Sequence, residues 1–250
     1  MDFLVVQPLR RDAKEHHCFR NEQYFINHLS HHVLSLHDFG GPEAVIRAMN
    51  DKEASIQRPI HLNSMSSPKE IMEWDWKQSL GNNHAQRYPD YLLTFFSNQV
   101  AAHGATATLE HYIFSREANE GETLTLARFT SRLLHPLIQA GFGIEFGQDF
   151  MVAQGIAQAA VCFPDASNMM DKPHNTPAII SGPECSLLSL LRDVYDSPSL
   201  VPLPYEGPST DADRFVEWMS MDPKRDAALR SIYSQWSFDL TLIRRWDRVS

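Results

Sequence analysis

Cysteine is scarce in this chain. Cys18, Cys162 and Cys185 are the only three, they lie far apart, and none forms a Cys-x-x-Cys pair. That excludes a disulfide framework and a thiolate zinc site, and it fits a reducing compartment. Runs of Lys and Arg are absent as well, and the formal net charge is −9. An acidic surface repels phosphate backbones, so no nucleic-acid partner is expected. No uninterrupted apolar stretch reaches the roughly 18 residues that a membrane span needs. The most apolar segment, Gly141 to Phe163, is broken by Glu145, Gln148, Asp149, Gln154 and Gln158. The apolar patch from Met1 to Pro8 has no basic residue before it and is too short for a signal sequence. A soluble, cytoplasmic protein is the expectation. Alternating Val/Ile/Thr runs are nearly missing, which argues against a sheet. Gly-x-Ser-x-Gly, P-loop and His-Glu-x-x-His motifs do not occur.

What remains is apolar residues at helical spacing. At 43% hydrophobic over 250 residues, the chain can bury one sizeable core. Phe25, Leu29, Val33 and Leu36 recur every three or four positions and predict a helix over Tyr24 to Leu36. Gly40-Gly41 stops it, and Pro42 can open the next. Ser66-Ser67-Pro68-Lys69-Glu70 reads as a helix start running to Leu80-Gly81. Pro89 opens a helix through Tyr91, Leu92, Phe95, Phe96 and Val100, closed near Gly104. Ala105 to Ser115 and Thr123 to His135 read as two more. Asp149 can cap a helix through Val152, Ile156 and Ala159. The predicted class is mostly α, a helical bundle-like domain over 1–163. Eight of the fifteen prolines lie between Pro164 and Pro208, so 164–250 is expected to be loop-rich. It carries one helix near Cys185–Tyr195 and another stretch from about Asp211 to Trp246.

The chemistry-bearing residues are mostly histidines. Asn27-His28-Leu29-Ser30-His31-His32 places three of the chain's twelve within five residues. On a helix His28 and His32 would stack, beside the apolar stripe. Neutral imidazole is a common ligand for iron, zinc and copper. Spacing alone fits half a metal site and also a histidine-rich surface. His135 precedes Pro136, and a residue before proline is pushed out of the α region. Its ring can donate to a freed carbonyl or point into a bundle interior. Gly141-Phe142-Gly143-Ile144-Glu145-Phe146-Gly147 fails the dinucleotide fingerprint, since its third glycine comes one residue late and no strand precedes it. Glycines that let two helices approach explain it better. The Trp74/Trp76 and Tyr88/Tyr91/Phe95/Phe96 clusters read as core, or as the lining of a pocket for a flat aromatic ligand.

Three motifs in order resemble the questin oxidase-like family. The first is Phe19-Arg20-Asn21, then Asn27 through Leu34, then Gly40. The second is Trp76, Leu80-Gly81, Tyr88-Pro89-Asp90-Tyr91-Leu92 and Phe95-Phe96. The third is His135-Pro136-Leu137-Ile138, Gly141 through Phe146, Val152-Ala153-Gln154 and Ala157 through Val161. The resemblance implies an all-helical oxidoreductase of fungal polyketide metabolism. Its activity would be Baeyer–Villiger-type ring opening of an anthraquinone-like polycyclic aromatic. It also implies NADPH as reductant and a non-haem iron held by histidines and a carboxylated lysine. Carried onto this chain, it makes His28, His32 and His135 the metal ligands, with His31 and His17 behind them. Tyr88, Tyr91 and Phe95 become the substrate pocket.

The family pattern commonly has histidine where this chain has Ile26 and Gln139, glutamate at Gln154 and histidine at Cys162. Family members also run longer and carry a further histidine motif after the part matched here. A C-terminally truncated relative is therefore an expectation, with a homodimer covering the apolar faces such a truncation would expose. A non-catalytic relative that binds an aromatic product or a full-length homologue is the alternative to an enzyme.

Overall fold

The computed structural model describes residues 3–61, 70–81, 84–164, 186–202 and 222–235. Two compact units divide the chain, Met1–Ser167 and Asn168–Ser250. Among the described residues there is no strand. Two isolated bridges, His16 with Pro59 and Phe19 with Ile26, are the nearest approach to a sheet. The mostly α expectation holds.

The first unit is organised by one helix. α9 (Asp149–Val161) is buried at every position from Met151 to Val161. It is apolar almost all round, and such a helix has to sit inside a core. α8 (Ser131–Glu145) packs along it more closely than ordinary side chains permit. A Cβ on Gly143 would lie 2.8 Å from the Val152 side chain and backbone nitrogen. One on Gly155 would lie 2.7 Å from the Pro136 carbonyl oxygen and 2.8 Å from Ala140. The glycine-rich run thus serves helix approach, as its failed fingerprint suggests. Gly147, with a φ of 62°, makes the turn between the two helices.

Around α9 lies an aromatic layer. It comes from α4 (His84–Pro89), a wide π-helical turn (Asp90–Phe96) and α5 (Ser97–His103), which Gly104 closes. Tyr91 stacks on Phe96 at 5.7 Å, and Phe95 and Phe96 both meet the Tyr112 ring edge-on. α6 (Ala105–Leu109), the turn Glu110–Phe114 and α7 (Thr125–Phe129) complete this side. The Arg128 guanidinium is buried and donates to the carbonyls of Thr123 and Cys162, at 2.8 and 2.6 Å. It thereby ties the last turn of α9 to α7. On the other side α1 (Phe3–Glu15), α2 (Leu29–Asp38) and α3 (Glu43–Ala54) share a second core with Met151 of α9. Val5, Leu9, Leu29, Val33, Leu34 and Ile46 form it.

Several boundaries differ from the sequence reading. The helix expected from Tyr24 starts only at Leu29. Before it the chain doubles back through the Phe19–Ile26 bridge, and Phe25, read as a buried stripe residue, is exposed. Asn27 sets the new start, because its Oδ1 accepts the Leu29 N–H at 2.9 Å. The helix start at Ser66 to Lys69 lies outside the described residues. Residues 70–75 are not helical, and only a 3₁₀ turn, Trp76–Ser79, follows. In the second unit, helices Leu187–Asp196 and Pro223–Tyr233 share a small core of Leu190, Leu200 and Ile232.

Candidate functional site

The site begins with how two backbone irregularities aim two imidazoles. His28 sits at the mouth of α2, just after the bridged segment. Its Nδ1–H donates to the Ile26 carbonyl at 2.9 Å. His135 follows three residues with left-handed backbone: Arg132 at φ 50°, Leu133 at 55° and Leu134 at 66°. Right-handed dihedrals resume at His135, with Pro136 in the first turn, where its missing N–H does no harm. Left-handed dihedrals at non-glycine residues cost roughly 1–2 kcal/mol each and persist where the surroundings over-determine them. Here the reversed turn brings the Arg132 carbonyl under the His135 ring, whose Nδ1–H donates to it.

A carbonyl oxygen can only accept, so both Nδ1 atoms carry the proton and both Nε2 atoms are left with a lone pair. These two Nε2 atoms face each other at 2.9 Å. Two neutral acceptors at that distance repel unless a cation stands between them. A shared proton is one candidate. Burial and then the neighbouring His135 push the His28 pKa below its ordinary value, which opposes the proton. A metal ion is the other. Adjacent ligands on a metal at about 2.1 Å stand about 3 Å apart. Tying the far nitrogen of each ring to a backbone carbonyl is the usual way such ligands are oriented. The 2.9 Å separation is one that two nitrogens holding a single ion would have.

His31 completes a cluster of three rings, 5.5 Å from His28 and 6.3 Å from His135 between centres. Its Nε2–H donates to Gln139 Oε1 at 2.9 Å, an oxygen that also accepts from Ser30 Oγ at 2.9 Å. Gln139 Nε2 passes the chain on to Gln154 Oε1 at 3.0 Å, and Gln154 bonds Tyr88. Burial, with the nearby imidazoles, pushes His31 down to about 4. It therefore stays neutral, with Nδ1 as its acceptor. Among the described residues no three His, Cys, Asp or Glu side chains form a set that could hold a metal. The described residues offer two facing nitrogens.

Behind this chain of amides is a small polar cavity lined by Asp12, His17, Cys18, Asn27, Ser30, Tyr88, Gln139, Gln154 and Gln158. The volume open to a water's centre is about 10 Å³, near the minimum for one water. Gln158 Nε2 is buried without a protein partner, and a water would satisfy it. Asp12 is fixed from two sides, its Oδ1 accepting from Asn27 Nδ2 and His16 Nδ1 at 2.8 and 2.9 Å.

Of the residues singled out in the sequence, His28 and His135 meet. His32 stacks on His28 as its spacing predicts, 6.1 Å between ring centres, but its Nδ1 faces Glu53 Oε1 at 3.1 Å instead of the facing nitrogens, clamping α2 to α3. The His28 carbonyl accepts the His32 N–H at 3.0 Å, the helical bond that keeps the two rings one turn apart. His17 is fully buried, and its Nδ1 accepts the Phe19 N–H at 3.0 Å. It lines the cavity with Tyr88. Tyr91 and Phe95 lie in the same buried core as Tyr88, as the core reading has it, and are not among the residues lining this cavity. Tyr91 is fully buried, and its hydroxyl donates to the Trp76 carbonyl at 2.6 Å. Gln139, Gln154, Ser30 and Asp12 were missed. The signal for the two glutamines is their position where the family pattern places ionisable groups.

The questin oxidase-like family model matches residues 25–246. The chain belongs to the questin oxidase-like family. It is 37% identical over 150 residues to the oxidoreductase AflY of Aspergillus parasiticus, covering 58% of this chain and 29% of that protein. It is 29% identical over 196 residues to a questin oxidase of Aspergillus fumigatus, covering 74% and 42%. A Baeyer-Villiger oxidase of Pestalotiopsis fici is 31% identical over 197 residues, covering 74% and 41%. The chain thus spans between 29% and 42% of the length of these relatives. Among the described residues no helix is long and apolar enough to cross a membrane.

Proposed function

We propose that this chain is part of an oxidoreductase that opens a ring of an anthraquinone-like polyketide by Baeyer–Villiger-type oxidation, with His28 and His135 as two ligands of a non-haem iron. The 2.9 Å approach of two Nε2 lone pairs supports this reading. So does family membership, with relatives named questin oxidase and Baeyer-Villiger oxidase. In such a reaction one oxygen atom enters between a carbonyl carbon and its ring neighbour. The other leaves as water, taking two electrons and two protons from a reductant. Iron supplies the activation of dioxygen that side chains alone achieve poorly. The chain's own groups orient. Ile26 and Arg132 carbonyls fix the two rings, and the Gln139–Gln154 amides hold the His31 ring beside them, where burial keeps it neutral. NADPH belongs to the reading by resemblance only. No cradle for it fits among the described residues, because the Gly141–Gly147 run is helix and turn rather than a strand-to-helix loop.

The test is anaerobic titration of the chain with Fe(II), followed by turnover of an anthraquinone under ¹⁸O₂ with mass detection. Near-stoichiometric iron, lost in His28→Ala and in His135→Ala, and a labelled ring-opened product are expected. Iron uptake that ignores both substitutions would sink the metal assignment. A second reading, a relative that binds the aromatic without chemistry, draws on two ligands, and no third, converging among the described residues. Anthraquinone binding by an iron-free wild-type protein would favour it. A homodimer is part of the proposal too. Phe39 and Trp74 are exposed hydrophobics of the first unit, and sedimentation velocity reads the association directly.

A further inference from the structure

A hydrogen-bond chain runs away from His31, and its links all point one way. His31 Nε2–H donates to Gln139 Oε1 at 2.9 Å, and Gln139 Nε2 donates to Gln154 Oε1 at 3.0 Å. Gln154 bonds Tyr88 next. Burial pushes the Tyr88 phenol well above its ordinary value, and the Gln154 bond acts against that rise, as an amide N–H donating to a phenol oxygen does. The phenol oxygen therefore accepts from Gln154, and its own proton is left to give. Tyr88 is fully buried, and a buried hydroxyl proton needs an acceptor. The chain ends on the small polar cavity, which Tyr88 lines. Gln158 lines it as well, buried and with an Nε2 that has no protein partner. So does Asp12. Both protein donors to Asp12 meet its Oδ1, at 2.8 and 2.9 Å, which leaves Oδ2 for the cavity. The Asp12 charge is felt at Tyr88.

Two donors and one acceptor thus surround room for a single water. Water serves all three, accepting from Gln158 and Tyr88 and donating to Asp12. An ammonium ion has no lone pair for the two donors, and a halide has no proton for the carboxylate. We propose that the cavity is a one-water site, and that through its water Asp12 and Tyr88 act as positioning residues for His31. With the water in place, every donor from His31 onward points toward a buried carboxylate, the favourable sense for dipoles near a charge at low dielectric. Reversing the chain would aim the amide oxygens at that charge and move the His31 proton to Nδ1. The carboxylate therefore keeps the proton on Nε2 and the lone pair on Nδ1, in a ring 5.5 Å from His28. The use of this arrangement rests on the iron reading above, whereas its test is made on the metal-free chain and is decided without iron.

The full chain, labelled with ¹⁵N-histidine and stripped of metal by a chelator, reports the tautomer of each ring at neutral pH through its two nitrogen shifts. His28 and His135, whose Nδ1–H groups donate to backbone carbonyls, are internal references. Wild-type His31 should carry its proton predominantly on Nε2. Tyr88→Phe removes the phenol oxygen, and Asp12→Asn removes the charge while keeping the shape. Each should raise the ratio of Nδ1–H to Nε2–H at His31 about fivefold, corresponding to about 1 kcal/mol, with His28 and His135 unmoved. A merely structural role would disturb all three rings or none. The water is read in the wild type, as a nuclear Overhauser cross-peak between water and the Gln158 side-chain amide, and it should vanish in Gln158→Leu. A folded Asp12→Asn protein with the wild-type ratio at His31 overturns the inference, whatever Tyr88→Phe does. A wild type with no water cross-peak at Gln158 overturns it too, and that result needs no variant to fold. If the chain takes up no iron yet His31 responds as expected, the iron reading falls and this inference stands.

Discussion

Gly155→Ala sets two effects of opposite sign against each other. Alanine is the better helix former, and in a free helix the change would stabilise by up to about 1 kcal/mol. Gly155 is not in a free helix. Its added Cβ would stand 2.7 Å from the Pro136 carbonyl oxygen and 2.8 Å from both the Ala140 nitrogen and its Cβ. Real Cβ atoms do not approach so closely, and two of the three neighbours are backbone, so α8 and α9 must separate by several tenths of an ångström or more. Overpacking of this kind costs about 1–3 kcal/mol, and the helix gain offsets only part of it. The expected net effect is a loss of roughly 1–2 kcal/mol in urea unfolding. The displaced atom belongs to Pro136, the residue after His135, so the facing imidazoles must open too. Fe(II) affinity should therefore fall together with stability, although no ligand has been touched. A Gly155→Ala protein as stable as the wild type, or more so, would refute the close approach of the two helices. Reduced stability with unchanged iron binding would refute the mechanical link to His135.

Three further outcomes follow from the site. In the metal-free protein His31 titrates at about 4 when folded and near 6.5 when unfolded. The unfolded chain therefore binds the extra proton between those values. Stability is unaffected above pH 6.5, declines as pH falls toward 4 and levels off below, a loss of about 3 kcal/mol; His31→Met should flatten that limb in pH-dependent denaturation. Asn27→Ala removes the acceptor for the Leu29 N–H and one of the two donors on buried Asp12. It should cost about 1–3 kcal/mol, while Asn27→Ser, which keeps a capping oxygen, should recover part of that in the same unfolding assay. Arg128→Met leaves the Thr123 and Cys162 carbonyls without their charged donor and should lower stability by about 2–3 kcal/mol in chemical denaturation. A change under 0.5 kcal/mol would mean that water replaces the guanidinium.

The legible parts of this fold are those written in local chemistry. His135-Pro136 announces a broken helix, and the ring does donate to a carbonyl freed at the break. The Gly141–Gly147 run announces close helix packing, and Gly143 sits against Val152. The illegible parts depend on residues far apart in the chain. Helical periodicity places Phe25 in the stripe of Leu29 and Val33, yet the Phe19–Ile26 bridge and the Asn27 cap delay the helix to Leu29. His28 still stacks on His32, and its Nε2 faces a histidine 107 positions away, a pairing no local spacing announces. Asp12 and His17 enter the cavity because α1 is a helix despite Pro8, and its short apolar patch gives no periodic signal strong enough to predict that. Tyr88, Tyr91 and Phe95 look alike in sequence. A π-helical turn buries the last two and leaves the first facing the cavity.

The glutamines decide the charge balance of the site. Where the resemblance leads one to expect histidine and glutamate, this chain carries Gln139 and Gln154, joined by a hydrogen bond of 3.0 Å. A buried ion pair there would bear the desolvation of two charges, several kcal/mol per ion. The amides keep the hydrogen-bonded path from His31 to Tyr88 and avoid that cost. The consequence falls on the metal. On the proposed reading, a divalent iron rests on two neutral imidazoles, with a third neutral imidazole beside it. Two buried acids near this network are already engaged, Asp12 by Asn27 and His16 and Glu53 by His32. Such a site carries an uncompensated positive charge in a half-buried setting, where charge is poorly screened. Restoring a carboxylate by Gln154→Glu should therefore tighten iron binding in the anaerobic titration. Unchanged or weaker binding would mean that charge compensation does not set the iron affinity of this site.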